Sequence, residues 1–382
     1  MTADAGDRNG LFWGCAALAV ALHALVAFGL PELHGGEDLV PHLRLIERMG
    51  EAPALRNTYA PAYHALGALA APLVGLDVFP KLFAFAAAIG LIAGFRVFQR
   101  AAQLPAYSAA VFCFVPYTFA LSWCLPKVEA AGYALMLLGL ALQLRRRHAA
   151  LALVLPATFA VHTAAALLLG LTGGALALAT RDRRALGALA AGTALAAPLF
   201  VAHMLAGCTL AQAFLFSEND YLRFGRGWSG AGSWGTLFAL AGPIPIALAA
   251  AGAGALWRRS AAAGVVCVVI AVVYLNEVWL APFGMSTTLD LRRGLSVLAI
   301  PVAAAAGCAL AARPRAAPWL LLACALWAVG SIFLALPHAC FVRPIALAET
   351  VDLAVERCVF RWSGPHYREG LPRAGRPAKL TP

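Results

Sequence analysis

Apolar residues run along this chain in long unbroken stretches. They stand at roughly 11–30, 80–98, 105–124, 125–144, 149–161, 163–180, 185–206, 235–256, 262–282, 290–311 and 317–336. A helical membrane span takes about 20 residues, within a range of about 17–25. A membrane β-barrel would instead show segments of about ten alternating residues. These runs are continuous and rich in Ala, Leu and Val, so the pattern predicts helices. The run at 149–161 is short, and with 163–180 it reads either as two helices or as one bent pair. A further stretch, 61–78, is ambiguous: it opens Pro61-Ala62-Tyr63-His64, continues mostly apolar and ends Gly75-Leu76-Asp77.

Composition removes the soluble alternatives. Apolar residues make up 62% of the 382 residues, charged residues 12%, and mean hydropathy is +0.78. A soluble domain carries about 25% charged and about 45–50% apolar residues. Soluble globular, disordered, coiled-coil and collagen classes are thereby excluded, which leaves an all-α polytopic membrane protein. The net charge of +11 would point to nucleic acid in a soluble protein. Here it orients the chain in the bilayer, and no nucleic-acid partner is expected. The nine cysteines show no CxxC spacing and no zinc or redox motif.

Charge also settles the topology. With the N-terminus inside and 61–78 taken as an interfacial or re-entrant helix, Arg96, Arg100, Arg145–Arg147, Arg181, Arg183, Arg184, Arg258, Arg259, Arg313 and Arg315 share one face. With Arg8 these are 13 of the 29 basic residues, joined only by Asp4, Asp7 and Asp182 among the acids. The expectation is about 11 spans (range 10–12), N-terminus cytoplasmic and C-terminus extracytoplasmic. Residues 1–336 form the transmembrane domain. Within it, 31–79 is an outer catalytic-type loop with amphipathic juxtamembrane helices, and 207–234 is a second outer loop. No small-residue cleavage site stands in Leu30-Pro31-Glu32-Leu33-His34, so the first run reads as a retained span. The outer tail, 337–382, carries Cys340 and Cys358, either a disulfide or two thiols. Its end reads as disordered by composition. The Ala-rich composition points to a bacterial plasma membrane.

Polar residues are costly in a membrane and mark function. The strongest group is Gly35-Gly36-Glu37-Asp38-Leu39-Val40-Pro41-His42-Leu43-Arg44-Leu45-Ile46-Glu47-Arg48-Met49. From Pro41 the pattern suits a helix lying on the membrane surface, with Leu43, Ile46 and Met49 on its apolar side. Asp38, four residues before His42, reads as a carboxylate at the membrane boundary acting as base or metal ligand, with His42 assisting. The competing reading is that Asp38 only caps the helix. Next comes Asn57-Thr58-Tyr59-Ala60-Pro61-Ala62-Tyr63-His64, which reads as a pocket wall or as interfacial aromatics.

A Gly-x-Asp acid, a following His and amphipathic helix, then Tyr-x-Pro-x-Tyr-His opening a second apolar helix, is similar to the start of many GT-C glycosyltransferases. Those are polytopic enzymes that use sugars carried on a polyprenyl phosphate. The resemblance is strongest over 11–100. It implies a GT-C-like fold, Asp38 as general base with Glu37 as substitute, and Tyr59, Tyr63 and His64 lining the pocket. The sequence departs from the family's Pro-Pro pair, where Pro61 stands between Ala60 and Ala62. It also lacks a large C-terminal soluble domain, which argues against an oligosaccharyltransferase.

Inverting glycosyl transfer needs one carboxylate base and a cation beside the leaving phosphate. Arg suits that task because its fork matches phosphate oxygens; a divalent cation, Mg or Mn, held by Asp38 would serve too. Arg292 and Arg293, placed outside against the positive-inside trend, read either as phosphate binders or as snorkelling residues with Asp290 nearby. In the second outer loop, Glu218, Asp220, Tyr221 and Arg223 are candidate sugar contacts or an ordinary solvated loop. Glu277 closes a span at its outer side and is a candidate by its cost. Lys127 and Glu129 read as a loose pair, and His162 as a packing or hydrogen-bonding residue. The expected function is extracytoplasmic sugar transfer from a polyprenyl-phosphate-linked sugar to an unspecified glycan, lipid or protein acceptor, with membrane lipid as the surroundings. The alternatives are a transporter or lipid flippase and a non-catalytic partner in envelope polysaccharide assembly. Against a transporter, the sequence shows no internal repeat and its polar residues gather at one face.

Overall fold

The computed structural model describes residues 4–29, 43, 46–47, 49, 61–76, 78–115, 128–205, 241–274 and 291–334. Among these are twelve helices and no strand. They are α1 (Asp4–Gly29), α2 (Pro61–Val74), α3 (Val78–Ala101), α4 (Ala106–Phe112), α5 (Val128–Leu144), α6 (His148–Val161), α7 (Thr163–Thr180), α8 (Arg183–Leu205), α9 (Pro243–Arg259), α10 (Ala261–Tyr274), α11 (Leu291–Ala311) and α12 (Ala317–Leu334). Helix α3, helix α7 and residues 183–201 of α8 are long and apolar enough to cross a membrane. Leu69, Leu73, Leu153, Leu178 and Trp319 stand exposed on the helix surfaces. In a bilayer such residues face a solvent as apolar as themselves.

Most predicted runs correspond to helices within a few residues. Runs 235–256 and 262–282 each extend eight residues beyond their helices, into residues outside the described ones; in 105–124 the helix ends at Phe112 and the chain turns at Cys113. The segment from 116 to 124 lies outside the described residues. Helix α2 has 14 residues, about 21 Å at 1.5 Å per residue, against a hydrocarbon core of about 30 Å. That length fits an interfacial or re-entrant helix.

Helix α6 is equally short, but its partner defines it. His148 opens α6, and Asp182 follows the end of α7. Their side chains meet at 3.0 Å, His148 Nε2 to Asp182 Oδ2. The far ends of the two helices meet at His162, the single residue between them, which is extended (φ −159°, ψ 108°). The two helices are therefore an antiparallel hairpin, not one bent helix. His162 serves both, since its N–H donates to Thr158 O while its Nδ1 accepts from the Ala165 N–H at 3.2 Å. An acceptor Nδ1 places the proton of a neutral imidazole on Nε2.

Helix α5 runs beside α7 in parallel. A Cβ built on Gly132 would lie 2.5 Å from His162 Cβ, and one on Gly139 would lie 2.8 Å from Leu169 Cδ2. Further along, Gln143 donates to Gly173 O at 2.8 Å. All three contacts keep one register. Small residues let helix backbones approach closely where lipid supplies no hydrophobic drive, and a side-chain amide adds an interhelical hydrogen bond. Helix α11 uses the same means: Ser108 Oγ of α4 donates to Ala304 O at 3.1 Å, and Gly307 abuts the Ser108 backbone.

Three helices end in one type of turn. In α5, Arg147 N–H donates to Leu142 O and Arg146 N–H to Gln143 O. In α7, Asp182 N–H donates to Ala177 O and Arg181 N–H to Leu178 O. In α3, Leu104 N–H donates to Gln99 O and Gln103 N–H to Arg100 O. These are Schellman caps, whose left-handed residue is usually Gly. Here it is Arg146 (φ 56°), Arg181 (φ 55°) and Gln103 (φ 57°). Each forgoes about 1 kcal/mol relative to glycine.

Among the described arginines expected on the basic face, Arg96 differs from the others in its surroundings. It is buried, its guanidinium lying 4.5 Å from the Phe12 ring centroid and donating to Gln99 Oε1 at 2.6 Å. The aromatic face of α1 and the amide of its own helix offset its desolvation.

Candidate functional site

Helix α2 begins with Pro61, whose fixed φ and missing N–H suit a first turn. Tyr63 and His64 follow, both fully buried. The Tyr63 ring packs edge-on to Phe83 at 4.7 Å, beside Phe79 at 5.4 Å and His64 at 5.5 Å. Such aromatic contacts add to area burial. Burial raises the Tyr63 phenol above its ordinary pKa, so the group stays neutral at physiological pH.

The amphipathic segment of the first loop is seated on this helix. Leu43 and Ile46 are buried in one cluster with Tyr63, Phe79, Ala84 and Val128, while Glu47 is exposed. Gly67 of α2 makes room, for a Cβ there would lie 2.5 Å from Ile46 Cδ1. The apolar side read from the sequence is thus the side that docks. It docks on the helix carrying Tyr63 and His64, and Val128 brings the start of α5 to the same place.

Arg292 and Arg293 fall in the first turn of α11, which holds no acidic residue. The base candidates Asp38, Glu37 and His42 lie outside the described residues. So do Tyr59, Glu218, Asp220, Tyr221, Arg223, Glu277 and the Cys340 and Cys358 pair. Among the described residues, no three His, Cys, Asp or Glu side chains come together as a metal site. Sequence reasoning missed the docking of the loop on Gly67. It also missed the pairing of His148 with Asp182, whose 34-residue separation leaves no local signal.

The all-helical architecture is one already seen among solved structures. Among solved structures, the chain is similar to ArnT from Cupriavidus metallidurans in the apo state. The two are 18% identical, with a TM-score of 0.52 over 91% of this chain and 70% of that one. No protein-family model and no curated protein matches the sequence.

Proposed function

We propose that the chain is a membrane glycosyltransferase of GT-C type. It moves a sugar from a polyprenyl-phosphate donor to an acceptor at the extracytoplasmic face of a bacterial plasma membrane. The observation that carries this reading is the seating of Leu43 and Ile46 on α2, beside Tyr63, within a fold similar to ArnT. GT-C relatives use a lipid-linked sugar donor.

In this reading the acceptor hydroxyl oxygen attacks the anomeric carbon and gives its proton to Asp38. The bond from anomeric carbon to phosphate oxygen breaks, the electron pair leaves with the lipid phosphate, and configuration inverts. Glu37 is the substitute base and His42 its neighbour. Arg292 and Arg293 balance the charge on the leaving phosphate. Tyr63 and His64 form the wall beneath the pocket. Tyr59, Glu218, Asp220, Tyr221, Arg223 and Glu277 supply polar and aromatic contacts to sugar and acceptor.

The test is release of polyprenyl phosphate by the full chain in proteoliposomes, offered a panel of polyprenyl-phosphate hexoses and pentoses with an acceptor extract. Consumption of one donor that Asp38→Asn abolishes, in a variant that folds and inserts normally, supports the reading. Wild-type rates in Asp38→Asn overturn the base assignment. Consumption of no donor on the panel overturns the transferase.

A further inference from the structure

The hydrogen-bonded pair of His148 and Asp182 pins together the turn after α5 and the turn after α7. The first turn holds Arg145, Arg146 and Arg147, the second Arg181, followed by Arg183 and Arg184 at the start of α8. All six arginines are exposed. Asp182 is the one carboxylate in these turns, and its oxygens already accept from His148 and from the Ala185 N–H at 3.0 Å.

Four of the six occupy positions that local physics disfavours. Arg146 and Arg181 hold left-handed cap positions where glycine is the ordinary choice. Arg183 and Arg184 fall in the first turn of α8, which holds no acid, so they face the positive end of the helix. Orientation in the bilayer needs positive charge in a loop. It does not need arginine at a glycine position, or two triplets tied at one point. Leu178, three residues before Arg181, is 68% exposed and leaves apolar surface beside the guanidinium groups for acyl chains.

We propose that the two arginine triplets around the His148–Asp182 pair form a binding site for an anionic phospholipid with two phosphates, a diphosphatidylglycerol, one phosphate to each triplet. Guanidinium forks match phosphate oxygens, and basic pockets between helices at the cytoplasmic side suit such headgroups. The site is independent of the sugar-transfer reading.

The test compares the full chain with Arg146→Gly/Arg181→Gly by native mass spectrometry, using diphosphatidylglycerol, phosphatidylglycerol and phosphatidylcholine. Thermal midpoints are read in phosphatidylcholine nanodiscs. Each arginine near an anionic headgroup contributes about fivefold in affinity, so the double variant should bind diphosphatidylglycerol about 30-fold more weakly. Its midpoint should hold or rise, because glycine suits both turns. Should that variant fail to fold, Arg183→Gln/Arg184→Gln, at ordinary helical positions, carries the same readout. Undiminished lipid retention overturns the site. Equal retention of phosphatidylglycerol overturns the two-phosphate assignment, and displacement of the lipid by millimolar inorganic phosphate overturns the lipid as occupant.

Discussion

His148 Nε2 and Asp182 Oδ2 lie 3.0 Å apart and close the base of a helical hairpin whose apex is His162. Asp182 does three things at once. It ends the Schellman turn of α7, caps α8 through the Ala185 N–H, and holds the first residue of α6.

The Ala185 N–H, and then the His148 ring, hold the Asp182 carboxyl below its usual value of 3.8. A depressed folded pKa contributes stability that is present above the unfolded value and is lost as pH falls through the folded one. Thermal midpoints should therefore show an acid limb from this group only below about pH 4. Asp182→Asn, which keeps the cap, should flatten that limb. Asp182→Ala should cost about 1 kcal/mol at neutral pH through loss of the cap. A scan of midpoint against pH for the three proteins decides it.

Two glycines should respond to alanine with opposite sign. A Cβ on Gly252 would run into the Ala305 carbonyl and the Ala309 nitrogen, backbone atoms of α11 that cannot swing aside. Gly252→Ala should destabilise by about 1–3 kcal/mol. Gly187 in α8 has nothing within 4 Å of its would-be Cβ, so Gly187→Ala should stabilise by about 0.5–1 kcal/mol. Unfolding in detergent, read for both variants, checks the contrast.

Gln143→Leu removes the hydrogen bond to Gly173 O. Interhelical hydrogen bonds in membranes average about 0.6 kcal/mol, so the expected loss in unfolding free energy is of that size. A loss of several kcal/mol would mean that the α5–α7 seam depends on this amide rather than on close packing.

Once a donor is found, Arg292→Ala/Arg293→Ala should lower kcat/KM by about 10²-fold or more if the pair stabilises the leaving phosphate. EDTA separates the two cationic options. Loss of transfer with recovery in Mg or Mn means that an ion at Asp38 shares the task; unchanged transfer leaves it to the arginines. Initial rates with and without chelator are the measurement.

Local features of the site were legible in one dimension. The 3.6-residue period in 41–49 places Leu43 and Ile46 together, and both are buried beside an exposed Glu47. The break between 149–161 and 163–180 was visible, but not its meaning, because only the contact of His148 with Asp182 separates a hairpin from a bent helix. Tyr63 and His64 stand out from their motif, yet Tyr63 is buried against Phe79, Phe83 and a loop segment that no spacing links to it. Arg96 read as one more basic residue at a helix end. The Phe12 ring that covers it lies on a separate helix.

From the sequence alone come the helical membrane class, the approximate ends of most helices and the sided distribution of arginine. Transfer of a side chain from water to lipid is a local and roughly additive free energy, so a run of apolar residues declares itself without reference to the rest of the chain. Which helices touch was decided only in three dimensions. The parallel seam of α5 and α7, the docking of Ile46 on Gly67 and the pinning of two arginine turns by one carboxylate all depend on close fit between distant segments. Lipid is as apolar as leucine, so hydropathy does not distinguish a lipid-facing side from a helix-facing one. Small residues, shape and a few polar contacts make that choice.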